Sequence, residues 1–283
     1  MTRYINPYTD FGFKKLFGEE ANKDLLIDFL NAVLPLKSPI ATLTFRNSEQ
    51  LPDNPTDRKA VFDIACVGAN GESFSVEMQK AKQLWFKDRA LFYTIFPILR
   101  QAQQGNWDFK LNPVYLVAVL DFRYDELEER QKLYRLVSYK DQDGEEFTDR
   151  VKMVFLQMPL FTLKASELDT QKDKWLFFLK NLESFEEIPA ILREPVFEKA
   201  FATAEYVNYP PALQEAYQND LKAYRDNINV LDTARMEGEV VGEAKGRAER
   251  DIEIALSMKK DGIDPAVIAK HTGLSLAEIK QLK

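Results

Sequence analysis

The stretch VFDIACVGANGESFSVEMQ, residues 61–79, contains two strand-like segments joined by a glycine-containing turn. Alternate side chains of a β-strand point to opposite faces of the sheet. In both segments one face is apolar, whereas the other face carries Asp63 in the first segment and Glu77 and Gln79 in the second. The sequence therefore predicts strands at 60–67 and 73–79 that bury one face and gather acidic and amide groups on the other.

The length of the turn decides whether the two carboxylates share a face. If Asn70-Gly71 is a two-residue turn, Asp63 stands opposite Met78, and the carboxylates point to different faces. A three-residue turn from Ala69 to Gly71, with the glycine in the left-handed conformation, places Asp63 directly opposite Glu77. The second register also joins the two apolar faces, so burial favours it.

Two opposed carboxylates on neighbouring strands repel each other. Either both are exposed to solvent and paired with basic residues, or a divalent cation lies between them. A predicted helix with many aromatic residues follows at 84–103, and a near-continuous apolar run, PVYLVAVLDF, follows at 113–122. Such a run is typical of a strand buried on both faces. It places the hairpin near the centre of a sheet, where paired acids favour the cation.

Cysteine and histidine counts restrict the kind of metal site. Cys66 is the only cysteine and His271 the only histidine, so the chain cannot assemble a Cys/His zinc site, and a Ser-His-Asp triad is not expected. The remaining ligands are oxygens, which suit Mg²⁺ or Mn²⁺. The net charge of −7 argues against a generic high-affinity nucleic-acid binder, but not against an enzyme with a local basic patch.

Several features predict a cytoplasmic protein with no membrane partner. The single cysteine cannot form an internal disulfide, the N-terminal residues lack the apolar segment of a secretory signal, and no run of 18 apolar residues occurs.

Periodicity along the rest of the chain predicts an alternation of helices and strands followed by a helical C-terminal part. Helices are predicted at 10–17 and 23–33 and from about residue 165 onward, strands at 40–45, 133–139 and 152–161, and a polar loop at 47–57. We expect three parts: a core at 1–205, a helical extension and charged linker helix at 206–256, and a two-helix tail at 257–283.

In the C-terminal part, small residues and helix-capping residues form the patterns that predict structure. Gly238, Gly242 and Gly246 recur at a spacing of four, which permits close helix contact and hence a homodimer; a flexible charged linker is the alternative. Asp264 before Pro265, and Ser275 with Glu278, are helix-start patterns. The stretch TGLSLAEIKQL resembles the second half of a helix-turn-helix motif, for which docking or oligomer contact rivals DNA binding.

Four stretches together resemble the Rpn family, the recombination-promoting nucleases also described as PD-(D/E)XK nuclease family transposases: DFGFKKLFG at 10–18, VEMQ at 76–79, RALFY at 89–93 and PVYLVAVLDF at 113–122. Asp63 followed by Glu77-Met78-Gln79 resembles the split acidic motif of the wider superfamily. The resemblance covers about residues 5–240. It implies an α/β fold with a restriction-endonuclease-like mixed sheet, flanked by helices, and an α-helical C-terminal extension.

The resemblance also implies the metal ligands. Asp63 and Glu77 would bind Mg²⁺ or Mn²⁺, with the main-chain carbonyl of Met78 as a further ligand. An acidic residue on the first helix often completes such a site; Asp10 is the candidate by position, and Glu19 is a poorer one.

Other residues near the motif are candidates for contact with a phosphate. Gln79 stands where the superfamily has lysine; glutamine can orient water but carries no charge. Arg89 and Tyr93 lie one helical turn apart, and both could reach a substrate phosphate; the alternatives are an ion pair and an amphipathic rim residue. Lys80 and Lys82 would either supply the missing ammonium group or be solvated loop charges.

Two functions are consistent with these observations. The first is a metal-dependent DNA endonuclease, a Mg-dependent deoxyribonuclease that hydrolyses phosphodiester bonds in DNA recombination or mobile-element activity. The alternative is a catalytically weak nuclease-fold protein that acts as a DNA-binding or protein-interaction module. DNA is the expected partner in the first case.

Overall fold

The structure is a computed structural model of the 283-residue chain that describes residues 2–47, 49–50, 60–102, 106–124 and 127–282. The predicted loop at 47–57 lies largely outside the described residues. The chain forms two compact units, Met1–Tyr224 and Arg225–Lys283. The proposed boundaries at 205 and 256 stay predictions.

The strands among the described residues all belong to the first unit: β1 (Leu43–Phe45), β2 (Glu49–Gln50), β3 (Ala60–Val61), β4 (Ile64–Gly68), β5 (Ser73–Gln79), β6 (Val114–Leu120), β7 (Tyr134–Lys140) and β8 (Glu146–Gln157). The α-helices are α1 (Asp10–Phe17), α2 (Lys23–Val33), α3 (Phe86–Leu99), α4 (Gln171–Asn181), α5 (Pro195–Ala204), α6 (Pro211–Lys260), α7 (Pro265–Thr272) and α8 (Leu276–Gln281).

Six of these strands form one mixed sheet in the order β1-β4-β5-β6-β8-β7, and β2 and β3 form a small antiparallel pair. The hairpin strands β4 and β5 are antiparallel, whereas β5, β6 and β8 run parallel to one another. The outer strands β1 and β7 are antiparallel to their neighbours. The predicted mixed sheet with flanking helices is confirmed.

Strand β6 is buried along its whole length, as its apolar run predicts. On one face, Leu116, Ala118 and Leu120 pack with Phe86 and Ala90 of α3. Since β5 and β8 occupy both edges of β6, its backbone polar groups are paired while its side chains are removed from water. β5 pairs with this central strand along its whole length, up to Gln79.

Helices α1, α2, α4 and α5 pack together through aromatic side chains. The ring centroids of Phe17 and Phe29 are 5.1 Å apart, and Trp175 lies 5.9 Å from Phe29 and 4.8 Å from Phe197. Aromatic contacts of this kind stabilise the folded chain beyond the effect of burying apolar surface.

The start of α1 is set by a tight local arrangement. The hydroxyl oxygen of Thr9 accepts a hydrogen bond from the Gly12 N–H at 2.9 Å and caps the helix. A Cβ at Gly12 would lie only 2.2 Å from the carbonyl oxygen of Asn6, so glycine is required. The cap places Asp10 in the first turn, where a carboxylate is favourable to the helix dipole.

The structure differs from the sequence prediction at the first hairpin strand. Instead of one strand at 60–67, β3 ends at Val61 and β4 begins at Ile64. The Met78 N–H donates its hydrogen bond to the carboxylate of the intervening Asp63 rather than to a main-chain carbonyl. This side-chain contact replaces a rung of the regular ladder and ends the strand.

In the second unit the charged segment continues as α6 up to Lys260, so it is helical rather than a flexible linker. The end of α6 packs with α7 and α8 around three buried residues: Ala255, Ile268 and Ile279. Both predicted caps are confirmed, with Asp264 accepting from the Ala266 N–H and Ser275 forming a capping box with Glu278.

A turn containing Gly273, at φ +72°, joins α7 to α8, as in a helix-turn-helix. None of the helices that the structure describes combines the length and apolar character needed to cross a membrane.

Candidate functional site

The hairpin has the register that the turn argument predicts. Ile64 pairs with Val76 and Ala65 with Ser75, so the next step along both strands brings Asp63 opposite Glu77. Gly71 has φ +87°, the left-handed conformation required in a three-residue turn.

Each of the two carboxylates accepts a hydrogen bond from the other segment. The Asp63 N–H donates to Oε1 of Glu77 at 3.3 Å, and the Met78 N–H donates to Oδ2 of Asp63 at 2.6 Å. Glu77 is only 5% exposed, and Asp63 is half-buried. These bonds bring the two carboxylates together at the end of the hairpin.

Burial and mutual repulsion disfavour the charged forms of the pair. Burial and the Asp63 carboxylate raise the pKa of Glu77 to about 8, against the opposing effects of the Asp63 N–H, Arg89 and Gln79. Burial likewise raises the pKa of Asp63, although the Met78 N–H and two ammonium groups, those of Lys14 and Lys80, act in the other direction. A bound cation would relieve both effects.

Gln79 connects Glu77 to α3. Its side-chain Nε2 donates to Oε2 of Glu77 at 2.9 Å, and its Oε1 accepts from the guanidinium of Arg89. A second nitrogen of the same guanidinium donates to Oε1 of Gln83. Both ends of the Gln79 amide are therefore occupied, and Gln79 holds Glu77 while Arg89 holds Gln79.

Tyr93 has a packing contact in the structure. Its ring meets Phe62 edge-on at 4.9 Å, and the Arg89 guanidinium carbon lies 5.9 Å from its centroid. The contact with Phe62 joins α3 to the segment that carries Asp63. The phosphate-binding role of Tyr93 stays a prediction.

A cavity of about 640 Å³ opens beside Asp63. Both acidic candidates of the first helix region line it, and each pairs with a lysine: Asp10 with Lys14 at 2.9 Å, and Glu19 with Lys15 at 2.8 Å. Asp10 thus borders the same space as Asp63. Within the ranges that the structure describes, however, no three Asp, Glu, His or Cys side chains are placed to hold one metal ion.

The oxygen donors at the hairpin nevertheless fit a magnesium ion. Because main-chain groups alternate in direction along a strand, and the Gln79 carbonyl accepts from the Asp121 N–H on the β6 side, the carbonyl of Met78 lies on the side of Asp63. Mg²⁺ is usually bound by one or two carboxylates and keeps several waters. Asp63, Glu77 and the Met78 carbonyl form such a donor set.

Sequence reasoning missed several residues around the cavity. Lys14 acts electrostatically on Asp63, and Arg46 and Asp220 also line the cavity. The four-residue spacing of Asp10 and Lys14 could have indicated the first. No local pattern indicates Asp220, whose carboxylate accepts from the Phe11 N–H at 2.7 Å.

The two lysines proposed to supply an ammonium group lie in different places. Lys80 is 3.9 Å from the Asp220 carboxylate, and its Nζ is 5.7 Å from the Tyr224 ring centroid. Lys82 lines another cavity, at the start of α3. Lys80 is therefore the lysine near the acidic pair, where its charge opposes the rise in the pKa of Asp63.

Comparison with protein families identifies the class of this fold and site. The model for a PD-(D/E)XK nuclease family transposase matches residues 7–234, about four-fifths of the chain. A mixed sheet with a hairpin presenting Asp63 and Glu77 is thus the sheet of a PD-(D/E)XK nuclease-type protein. The model for the C-terminal HTH domain of the Rpn/YhgA-like nuclease family matches residues 248–283. The chain belongs to the Rpn family. Neither the curated proteins nor the solved structures include a significant match.

Proposed function

We propose that this protein is a Mg²⁺- or Mn²⁺-dependent endonuclease that hydrolyses DNA phosphodiester bonds in recombination or mobile-element activity. The observation that carries the proposal is the pairing of Asp63 with buried Glu77 across the hairpin of a PD-(D/E)XK family member. Charged groups removed from water without compensation are costly. A divalent cation held by these two carboxylates and the Met78 carbonyl supplies the compensation.

When bound, the cation lowers the pKa of a coordinated water and neutralises charge that develops on the phosphate. The protein's own groups set the geometry. The Met78 N–H holds one oxygen of Asp63, and the Asp63 N–H and the Gln79 amide hold the two oxygens of Glu77. Hydrogen bonds of this kind, to the groups that bind a metal, orient the ligands.

Positive charge at the proposed site comes from the helices rather than from residue 79. Lys14 lies on the Asp63 side, in the wall of the cavity, and Arg89 lies on the Glu77 side, bonded to Gln79. We propose that Lys14 and Arg89 meet the substrate phosphate from opposite sides. Asp10, paired with Lys14, orients the ammonium group and supplies a carboxylate at the cavity wall.

The helix-turn-helix match in the second unit implies DNA binding. The net charge of −7 predicts that DNA affinity is modest and that its salt dependence is shallow, because few phosphates are contacted. Cytoplasmic localisation and a homodimer stay predictions.

Nicking of supercoiled plasmid DNA in Mg²⁺ and in Mn²⁺ tests the proposal. We expect Asp63→Ala and Glu77→Ala each to reduce cleavage to background, since either change leaves the cation under-coordinated. The control is Glu20→Ala, which removes an exposed carboxylate paired with Lys23 and should leave cleavage unchanged.

Stability measured in parallel separates a metal site from an ordinary ion pair. In EDTA, both site variants should be as stable as the wild type or more stable, because each removes one of two repelling groups. At a Mg²⁺ concentration 100 times the Kd, only the wild type should gain about 2.7 kcal/mol. Cleavage in excess EDTA, or cleavage by both site variants, would show that the acidic pair and its cation do not carry the activity and would overturn the proposal; absence of cleavage by the wild type would support the weak-nuclease or interaction-module function.

A further inference from the structure

A second cavity, of about 440 Å³, lies at the start of α3. The segment between β5 and α3 forms one wall, and residues that follow β6 form the other. Its volume is in the range of pockets that hold small organic groups. We call it the aromatic pocket; the lining residues used below are Lys82, Trp85, Phe86, Lys87, Tyr124 and Arg130.

The floor of the aromatic pocket packs against the core, whereas one wall is an exposed indole. Phe86 meets Phe122 edge-on at 5.5 Å, and Tyr124 stacks on Phe155 at 5.3 Å. Trp85 is 70% exposed. Core packing does not account for a tryptophan this exposed, and a flat aromatic surface beside a fixed aromatic floor suits a planar ligand.

The described lining of the aromatic pocket carries more cationic than acidic side chains. Among the described residues that line it, Lys82, Lys87 and Arg130 are cationic and Asp88 is acidic, although the chain as a whole has a net charge of −7. The Lys87 ammonium group lies 4.6 Å from the centre of the Tyr124 ring. Aromatic rings interspersed with cations are the combination by which proteins bind single-stranded nucleic acid.

A chain of side-chain hydrogen bonds links the aromatic pocket to the acidic pair. Arg89 donates one hydrogen bond to Gln79, which holds Glu77, and another to Gln83, which lines the pocket. Gln79, Arg89 and Gln83 thus form a continuous hydrogen-bonded path from Glu77 to the lining of the pocket that contains Trp85.

We propose that the aromatic pocket binds an unpaired nucleobase of the DNA strand that is cut, stacked against Trp85, with the adjacent phosphates near Lys82 and Arg130. This inference rests on the proposed nuclease function. Bases inside a duplex cannot stack on a protein side chain without leaving the helix. The substrate class is therefore DNA with single-stranded or unpaired nucleotides beside the cleavage site.

Binding of the full-length protein to a fluorescein-labelled 15-nucleotide oligo(dT) and to a 15-base-pair duplex, both in EDTA, tests this proposal. Trp85→Leu should weaken oligo(dT) binding roughly tenfold, the effect typical of one lost base–aromatic stack. Duplex affinity should stay unchanged. Trp85→Phe, which keeps an aromatic face, should restore much of the oligo(dT) affinity.

Two matched controls accompany these variants. Trp107→Phe alters a half-buried tryptophan outside the pocket that stacks near Phe109, and should leave oligo(dT) binding unchanged. Lys82→Gln should weaken oligo(dT) binding and reduce the slope of log affinity against log salt by about 1. Lys110→Gln, an exposed lysine outside the pocket, should do neither.

Equal affinity of Trp85→Leu and wild type for oligo(dT) would overturn the proposal. Equal losses of affinity for oligo(dT) and for the duplex would also overturn it. A change in oligomeric state without a change in DNA affinity would overturn it too, and would assign the pocket to a second copy of the chain. Because the assay contains no metal, loss of oligo(dT) binding in Trp85→Leu would support the pocket even if plasmid nicking failed. If the wild type shows metal-dependent nicking and Trp85→Leu binds oligo(dT) with unaltered affinity, the nuclease proposal stands and the pocket proposal is wrong.

Discussion

Acidic side chains in two regions of this chain have opposite surroundings. Along α6 beyond Tyr224, Glu239 lies 3.9 Å from Arg235, and Glu249 lies 3.7 Å from Lys245, with all four side chains about 70% exposed. At the β4–β5 hairpin, Glu77 is 5% exposed and faces another carboxylate.

The difference between the two regions shows how context assigns a role to the same residue type. Water solvates the charges of α6, and exposed ion pairs of this spacing contribute little to folding. Water is largely excluded from Glu77, whose charge must be met by fixed donors or by a cation. A buried pair with raised pKa values is a common feature of functional sites. Three measurements test this difference.

The largest expected effect is on stability against pH in EDTA. The folded-state pKa of Glu77 is about 8, above its ordinary value of 4.5, so the folded chain holds a proton that the unfolded chain has already released between these values. This group's contribution to stability is therefore complete below about pH 4.5 and is lost as pH rises through about 8. Each pKa unit corresponds to about 1.4 kcal/mol.

Chemical denaturation of wild type and Glu77→Gln from pH 5 to 9 measures the contribution of Glu77 and its interaction with Asp63, because titrating groups that do not interact with Glu77 cancel in the difference. We expect the wild type to lose stability relative to the variant as pH rises, and Mg²⁺ to reverse the trend. A difference that is independent of pH would mean that Glu77 is solvated like the acids of α6.

The next effect concerns the connection from Glu77 to α3. Gln79→Ala removes the donor to Glu77 and the acceptor for Arg89, so we expect a 10- to 100-fold fall in plasmid nicking rate with little change in folding. Arg89→Lys keeps a positive charge but cannot bridge Gln79 and Gln83. Its nicking rate should lie between those of the wild type and Gln79→Ala.

The metal requirement distinguishes a positioning role from a purely structural one. In Gln79→Ala the Mg²⁺ concentration for half-maximal rate should increase, whereas a general loss of folded protein would lower the rate at every Mg²⁺ concentration equally. Gln79→Lys, which introduces the superfamily lysine beside Glu77, should cleave faster than Gln79→Ala. An unchanged rate in Gln79→Ala would show that Glu77 needs no support.

The smallest effect is expected on α6. Glu243→Ala removes an exposed partner of Arg247, 3.5 Å away, and should change the free energy of unfolding by no more than about 0.5 kcal/mol. Thermal melts at low and high salt give the value and its screening. A loss of several kcal/mol would show that this part of α6 is buried in an assembly of chains, and the contrast with Glu77 would disappear.

Local pattern was sufficient for most elements of the fold. The bounds of α1 and α2 were predicted as observed, and the apolar run at 113–122 indicated the buried β6. These predictions succeed because helical and strand periodicities arise from the backbone itself. The predicted helix at 84–103 proved to be Phe86–Leu99, since the ends of a helix depend on local capping and tertiary contacts more than on its apolar stripe.

The break between β3 and β4 was not predictable in the same way. Strand propensity continues through Phe62 and Asp63, but the Asp63 carboxylate takes the Met78 N–H and ends the ladder. That outcome depends on a contact between residues 15 positions apart in sequence.

The hairpin register follows from the local sequence, because Gly71 permits the left-handed turn that joins the two apolar faces and so brings Asp63 opposite Glu77. The local sequence also determined the family, since the motif stretches are local. The cations that approach the acidic pair, and the position of the aromatic pocket, depend instead on tertiary packing. Lys14 and Arg89 come from helices on either side of the hairpin in the chain, and Tyr124 enters the pocket from beyond β6. Packing of distant elements brings these groups together, and no spacing within the sequence records it.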